Sequence, residues 1–173
     1  MDYLKQKIRT IPDFPKPGIL FRDITTLLAD SEAFNSVIDL FVEHYKEEQI
    51  DVVVGIESRG FIVGAPIALR LDKGFIPVRK AGKLPGPTHG VEYDLEYGTD
   101  LVEVHKDAIE SGSKVLMVDD LLATGGTIEG SSRLIEKAGG IITGYAFVIE
   151  LVELKGRNRL NKPVYSIVSF EGD

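Results

Sequence analysis

The residues with the clearest chemical potential lie in one stretch, 115–127, which reads VLMVDDLLATGGT. Two adjacent carboxylates, Asp119 and Asp120, follow an apolar run, and a turn of small residues then leads into a predicted helix. Small residues let several backbone N–H groups approach one point, and a helix N-terminus adds partial positive charge, so this turn is suited to a phosphate dianion. Carboxylates accept hydrogen bonds from vicinal hydroxyls. The stretch therefore predicts a sugar-phosphate site.

Two common phosphate-binding motifs do not fit this stretch. The Walker A loop needs a Lys after its second Gly, and the dinucleotide fingerprint needs G-x-G-x-x-G; the stretch contains neither. The alternative is an ordinary strand-to-helix turn with Asp119 and Asp120 as surface caps. A buried strand, paired carboxylates, small residues and a helix start coincide here, which favours a ligand site over an ordinary turn.

A single domain must position these residues, given the length of the chain. The sequence has 173 residues, of which 43% are hydrophobic and 27% charged, as in ordinary globular proteins. A formal net charge of −7 argues against non-specific nucleic-acid binding, and the lack of cysteine excludes disulfides, thiolate metal sites and cysteine nucleophiles. The N-terminal residues lack the apolar region of a signal peptide, and no apolar run approaches the ~20 residues of a membrane helix. We therefore expect a soluble, cytoplasmic protein.

The hydrophobic pattern predicts strands that alternate with helices. The run 51–56 is β-branched and nearly continuous, which is typical of a strand buried on both faces of a parallel sheet. Further strands are predicted at 75–79, 114–119, 141–150 and 163–170, and helices at 1–10, 31–48, 60–71 and 127–138. The segment 12–18 should be irregular, and 81–100 should include a long loop, with a hairpin strand between 95 and 106. We expect an α/β fold with a central, mostly parallel sheet flanked by helices.

The stretch 115–127 resembles the signature with which type I phosphoribosyltransferases bind 5-phosphoribosyl 1-pyrophosphate (PRPP). Three further blocks, in the right order along the chain, resemble the adenine-specific members of that family. They are PDFP with PGILFRDI within 12–24, GIESRGF at 55–61, and VRKAGKLPGPT at 78–88 leading to LEYG at 95–98. The resemblance covers nearly the whole chain. It implies the type I phosphoribosyltransferase fold, with a small N-terminal base-binding hood at about 1–30 and a flexible lid loop at about 81–100.

The resemblance assigns PRPP to the ends of the predicted strands. The ribose hydroxyls and the 5-phosphate would bind at Asp119, Asp120, Ala123, Thr124, Gly125, Gly126 and Thr127. The pyrophosphate side would consist of Glu57, Ser58, Arg59, Arg79, Lys80 and Lys83. The family has a non-proline cis peptide bond in this region, which we expect between Glu57 and Ser58. On the residues alone, Arg59 could instead pair with Glu57 in a helix cap, and the other cations could form a solvated basic stretch.

The resemblance places the chemistry under a lid at 82–98. Glu96 and Tyr97 would fold over the reacting atoms and act in catalysis together with Arg59, with Glu96 near N7 of the base. On the residues alone, Glu96 could equally be an exposed hairpin residue. The segment 154–157 also occurs in relatives, and we expect it to be structural or interfacial.

The base would bind at Leu20, Phe21, Arg22 and Leu121. Phe21 would stack on the purine and Leu121 would cover the other face, while backbone groups of Leu20 and Arg22 would bind the 6-amino group and N1. Phe21 could also be a plain core residue.

The implied activity is the transfer of the 5-phosphoribosyl group from PRPP to adenine, which gives AMP and pyrophosphate in purine salvage. Mg²⁺ would be carried by PRPP, so we expect no metal-ligand set in the chain. The family implies a homodimer, and we expect no nucleic-acid or membrane partner. Two alternatives stay open: a related enzyme for a 6-oxo purine, and a regulator that kept the fold but lost catalysis.

Overall fold

A seven-stranded sheet crosses the middle of the structure, a computed structural model that describes residues 1–95 and 98–172. The strands are β1 (Arg9–Pro12), β2 (Leu20–Asp23), β3 (Val52–Ile56), β4 (Gly74–Lys80), β5 (Thr88–Leu95), β6 (Gly98–His105), β7 (Lys114–Leu122), β8 (Ile141–Leu151) and β9 (Val164–Phe170). The order in the central sheet is β5-β6-β4-β3-β7-β8-β9. The five strands from β4 to β9 in this order run parallel, and β6 pairs antiparallel with both β4 and β5. The predicted α/β fold is confirmed.

Helices cover both faces of this sheet. They are α1 (Asp2–Gln6), α2 (Thr25–Ala29), α3 (Ser31–Tyr45), α4 (Arg59–Arg70) and α5 (Gly126–Lys137), with 3₁₀ turns at 152–154 and 156–159. Val53 packs with α3 and α4 in one core, and Val54 packs with α5 in the other. Successive strand residues point to opposite faces, so β3 is buried on both sides, as its β-branched run predicts. Within the described ranges, no helix is long and apolar enough to cross a bilayer.

Most predicted elements have the expected boundaries. The strands β3, β4, β8 and β9 and the helices α4 and α5 agree with the sequence prediction to within one residue at each end. Helix α3 begins where expected, because the Asp30 carboxylate accepts hydrogen bonds from the backbone N–H groups of Glu32 and Ala33 at 3.1 and 3.0 Å. It ends at Tyr45, three residues before the predicted end.

Two elements near the predicted site differ from expectation. Strand β7 does not end at Asp119 but continues to Leu122, because its ladder with β8 continues through Leu121 and Leu122. The hairpin starts at Thr88 rather than in the region after 95, and β5 and β6 pair along their whole lengths. The loop that precedes the hairpin is therefore limited to residues 81–87.

The N-terminal part contains a small sheet that the sequence analysis did not predict. The predicted helix at 1–10 ends at Gln6, and β1 then pairs with β2 in an antiparallel two-stranded sheet. The buried Asp23 carboxylate holds this sheet, since it accepts from Arg9 Nε at 3.0 Å and from the Thr25 N–H at 2.9 Å. These donors lower the pKa of Asp23 to about 2.

Candidate active site

A cavity of about 770 Å³ opens beyond the carboxyl ends of β3 and β7, where parallel sheets bind their ligands. Every residue predicted to bind PRPP lines it except Arg79, so the fold brings together segments that are far apart in the sequence. The other lining residues are Tyr93, Asp100, Leu121, Leu122, Ile128 and Leu154.

The paired carboxylates lie within β7, close to the start of α4. Asp120 is buried at 5% exposure, and its backbone N–H donates to Asp119 Oδ1 at 2.8 Å. A Cβ atom on Gly60 would lie 3.0 Å from Asp119 Oδ1 and 2.9 Å from the Val118 carbonyl oxygen, so glycine lets α4 approach the carboxylates closely. Burial and the neighbouring charge of Asp120 raise the pKa of Asp119 well above its ordinary value.

Arg59 crosses the cavity to the second carboxylate. Its Nε lies 2.5 Å from Asp120 Oδ2, so the alternative in which Arg59 pairs with Glu57 is wrong. Burial alone would lower the pKa of Arg59. The negative charges of Asp120, Asp119 and Asp23 outweigh burial, so the pKa is raised. The peptide bond between Glu57 and Ser58 is cis, at the position expected from the sequence.

Glu57 is the centre of a cationic cluster. Its carboxylate accepts from the Lys80 backbone N–H at 2.8 Å and from Arg79 Nε at 3.3 Å, and it forms an ion pair with Lys83. Burial alone would raise the pKa of Glu57, but these donors lower it. The Lys80 ammonium forms its own pair with Asp100 at 2.9 Å. The cations therefore contact carboxylates at the site and are not a merely solvated stretch.

The turn predicted to hold phosphate leads directly into α5. Gly125 adopts φ +85°, a left-handed conformation that favours glycine, and α5 begins at the next residue. No side chain of the described residues caps α5, so the N–H groups of its first turn are left for a ligand at the cavity wall.

Tyr93 and Asp100 are lining residues that the sequence analysis missed. They face each other in the β5–β6 register, and the Tyr93 hydroxyl donates to Asp100 Oδ2 at 3.3 Å. The register of the β5–β6 hairpin could have located them. The sequence prediction placed the start of the hairpin after residue 95, so this register was not recognised. The predicted catalytic residues Glu96 and Tyr97 lie outside the described residues.

The predicted base-binding residues are divided between two places. Leu121 lines the cavity, whereas Leu20, Phe21 and Arg22 lie on β2 and do not line it. Phe21 is half-buried and packs edge-on against Phe14, with ring centroids 5.2 Å apart, so it is not a plain core residue. The guanidinium of Arg22 lies over the ring of Phe170 at 4.2 Å.

The described part of the chain contains no group of three or more His, Cys, Asp or Glu side chains that could hold a metal ion. The cavity instead presents oxygen acceptors beside cations. These acceptors and cations fit an anionic ligand that brings its own cation.

Comparisons with known proteins agree with this geometry. A family model described as "Phosphoribosyl transferase domain" matches residues 23–171. An adenine phosphoribosyltransferase from Clostridium perfringens is 59% identical over 169 residues, which are 97% of this chain and 98% of that protein. The crystal structure of adenine phosphoribosyltransferase from Thermoanaerobacter pseudethanolicus superposes with a TM-score of 0.95 at 49% identity, covering 98% and 99% of the two chains. The Saccharomyces cerevisiae enzyme, solved with an imino-altritol bisphosphate and adenine, gives 0.92 at 44% identity, covering 96% and 97%.

Proposed function

This chain belongs to the phosphoribosyl transferase family, and on that premise we propose that it transfers the 5-phosphoribosyl group of PRPP to adenine, giving AMP and pyrophosphate. The observation that carries this function is the single cavity in which a carboxylate pair, a helix-initiating glycine turn and several cations meet. Relatives that match this chain over nearly their full length are named adenine phosphoribosyltransferase. The reaction belongs to purine salvage.

The carboxylates and the turn would hold the sugar phosphate. Asp119 and Asp120 are adjacent on β7 and line the cavity, so both can accept hydrogen bonds from the neighbouring ribose hydroxyls. The 5-phosphate would bind at the turn 123–127, where backbone N–H groups and the positive end of α5 favour a dianion. The ribose would then lie with its C1′ atom directed towards the segment 57–59.

The cations would bind the leaving pyrophosphate. Arg59, Lys80 and Lys83 line the cavity, and each is paired with a carboxylate of the site. We propose that these cations leave their carboxylates when PRPP binds, because a pyrophosphate carries more negative charge than one carboxylate. Mg²⁺ would enter as part of the substrate, neutralising pyrophosphate oxygens.

The N-terminal hood at about 1–30 would supply the adenine site. In the described part of the chain β2 pairs only with β1, so the second edge of β2 has no strand partner. The backbone groups of Leu20 and Arg22 point to the same edge, because directions alternate along a strand. We propose that these backbone groups face the base, where a 6-amino group would find an acceptor and a 6-oxo group would leave buried polar groups unpaired. Phe21 and Leu121 would contact the faces of the base.

Bond formation would take place under the lid at about 81–100. Pyrophosphate leaves C1′ with the electrons of the broken bond, and adenine N9 donates an electron pair to C1′. The proton that adenine loses would pass through Glu96, with Tyr97 covering the site against water. These two roles rest on the sequence resemblance.

We also propose that the enzyme is a cytoplasmic homodimer with no nucleic-acid or membrane partner. The lack of cysteine is compatible with a reducing compartment, and the net charge of −7 is unfavourable for non-specific nucleic-acid binding. The exposed apolar side chains of Ile62 and Leu69 on α4 offer a surface for a second copy.

The test is a base panel with purified protein. Adenine, hypoxanthine or guanine is incubated with PRPP and Mg²⁺, and nucleotides are separated by chromatography, with a chelator control. We expect AMP from adenine alone, and only with Mg²⁺. Nucleotide formation only from a 6-oxo purine would overturn the assignment of adenine as the base. PRPP binding without turnover would support the alternative of a regulator that lost catalysis. Salt-sensitive gel shifts with nucleic acid would identify such a regulator.

A further inference from the structure

The segment after β8 lies directly against the phosphate turn. Its residue Gly156 is buried, and a Cβ atom built on it would lie 2.2 Å from the Ala123 carbonyl oxygen and 3.0 Å from the Gly125 nitrogen. The contact is reciprocal, since a Cβ atom on Gly125 would lie 2.7 Å from the Gly156 carbonyl oxygen. The nearest of these neighbours are backbone atoms, so movement of the Leu122 side chain, whose Cδ1 would also lie 3.0 Å away, cannot by itself make room. The two backbones touch at a point where neither residue can carry a methyl group.

Glycine is needed at these two positions for different reasons. Gly125 has both the close contact and a left-handed backbone, whereas Gly156 does not have a positive φ. Any residue could adopt the backbone conformation of Gly156, and only the neighbouring turn excludes a side chain. The constraint on Gly156 therefore comes from its proximity to the phosphate turn.

Two arginines fix this segment to the rest of the domain. Arg157 binds the buried carboxylate of Glu150 through Nε at 2.9 Å and through a second guanidinium nitrogen, and it also donates to the Val164 carbonyl oxygen at 2.9 Å. Arg159 reaches Glu129 in the first turn of α5 at 2.8 Å. The segment is thus attached to β8 and to the helix whose N-terminus lines the cavity.

We propose that Gly156 is a positioning residue that holds the turn 123–125 in the shape that binds the 5-phosphate. A methyl group on Gly156 must displace either its own segment or the turn, and the turn is the less constrained of the two on its cavity side. The N–H groups of the turn would then point away from the position of the phosphate. The proposal rests on the proposed function, but it concerns only the 5-phosphate end of PRPP. The three nearest atoms to a Cβ on Gly156 belong to Ala123, Gly125 and Leu122, not to Glu57 or Arg59 at the pyrophosphate end.

The test compares Gly156→Ala with Gly144→Ala. Both glycines are buried, but the nearest atom to a Cβ on Gly144 is 3.5 Å away, an ordinary contact. For Gly156→Ala we expect the KM for PRPP and the inhibition constant of ribose 5-phosphate to rise about 10-fold or more, because misplacement by about 1 Å can cost a factor of that size. The inhibition constant of pyrophosphate and the KM for adenine should stay within about two-fold of wild type. Gly144→Ala should behave as wild type in every assay.

A second variant keeps the test decisive if Gly156→Ala does not fold. Arg159→Gln removes an attachment of the segment without adding an atom, and Arg70→Gln is its control, an equally exposed arginine paired with Asp39 at 2.5 Å. We expect Arg159→Gln to weaken ribose 5-phosphate inhibition by about two- to five-fold, the size of one partly exposed ion pair, and Arg70→Gln to leave it unchanged.

The outcomes separate this proposal from the proposed function. A folded Gly156→Ala enzyme with unchanged ribose 5-phosphate inhibition overturns the positioning role, as does equal weakening of ribose 5-phosphate and pyrophosphate. If Gly156→Ala does not fold, an Arg159→Gln enzyme that matches Arg70→Gln overturns it. If wild-type protein neither binds ribose 5-phosphate in calorimetry nor makes AMP, the proposed function itself fails.

Discussion

Replacement of Asp120 by Asn tests the carboxylate pair with almost no change in shape. The Asp120 side chain is 8% exposed and lies 2.5 Å from Arg59 Nε, so its hydrogen bonds are formed away from bulk water. A hydrogen bond to a charged group contributes about 1.5 to 3 kcal/mol, so losing one ribose contact should lower kcat/KM for PRPP about 10- to 150-fold. The KM for adenine should stay within about two-fold of wild type, because the base binds elsewhere.

The same variant should change the pH dependence of the reaction. The charge of Asp120 is one of the causes that raise the pKa of Asp119, after burial. Asn removes that charge, so Asp119 should lose its proton at a lower pH than in the wild type. If Asp119 must be ionised to bind the ribose, the acid limb of kcat/KM against pH should move to lower pH.

The assay is steady-state AMP formation from pH 5 to about 9, the range over which side-chain ionisation shapes such profiles. Asp39→Asn is the matched control, because Asp39 also lies 2.5 Å from an arginine, Arg70, but on the surface. Asp39→Asn should leave both kcat/KM and the profile unchanged. An Asp120→Asn enzyme with wild-type kcat/KM, or with an acid limb moved to higher pH, would refute the role given to the carboxylate pair.

Two further predictions concern the hood and the hairpin. Asp23→Asn should lower the free energy of unfolding at pH 7 by about 2 kcal/mol, because the pKa of Asp23 falls from 3.8 to about 2 on folding. The stability difference between wild type and variant is fully present above the unfolded pKa of 3.8. In urea titrations at pH 3 it should fall to about half. Asp100→Asn should release Lys80 and tighten pyrophosphate inhibition by about two- to five-fold, the size of an exposed ion pair, as measured by product-inhibition kinetics. Equal urea midpoints for wild type and Asp23→Asn would contradict the first, and weaker pyrophosphate inhibition the second.

The central sheet and the cavity at its strand ends could be predicted because their signals are local. A β-branched run such as 51–56 indicates a strand buried on both faces, and the carboxyl ends of parallel strands lie along one edge. Glu57 and Asp119 follow two such runs and line the same cavity, because β3 and β7 are neighbours in the sheet. The glycine turn marks the start of α5 in the same local way.

The features that were missed depend on contacts between distant segments. The strands β1 and β2 have four residues each, and most of these residues are not deeply buried. Their sequences therefore show no alternation of apolar and polar residues, and the strands are recognised only from their pairing with each other. The pair between Lys80 and Asp100 depends on the hairpin register, and the contact of Gly156 with Ala123 joins segments that hydrophobic periodicity cannot connect. Sequence periodicity shows which face a residue occupies, but not which residue lies opposite it.

The assignment of this cavity to phosphoribosyl transfer is tested most directly by following phosphorus in the reaction itself. Wild-type protein, PRPP and Mg²⁺ are observed by ³¹P NMR before and after adenine is added. We expect the PRPP signals to be stable without adenine, and to be replaced by those of AMP and pyrophosphate in equal amounts once adenine is added. Ribose 5-phosphate and pyrophosphate formed without adenine, or PRPP unchanged in its presence, would contradict the assignment of this cavity to phosphoribosyl transfer.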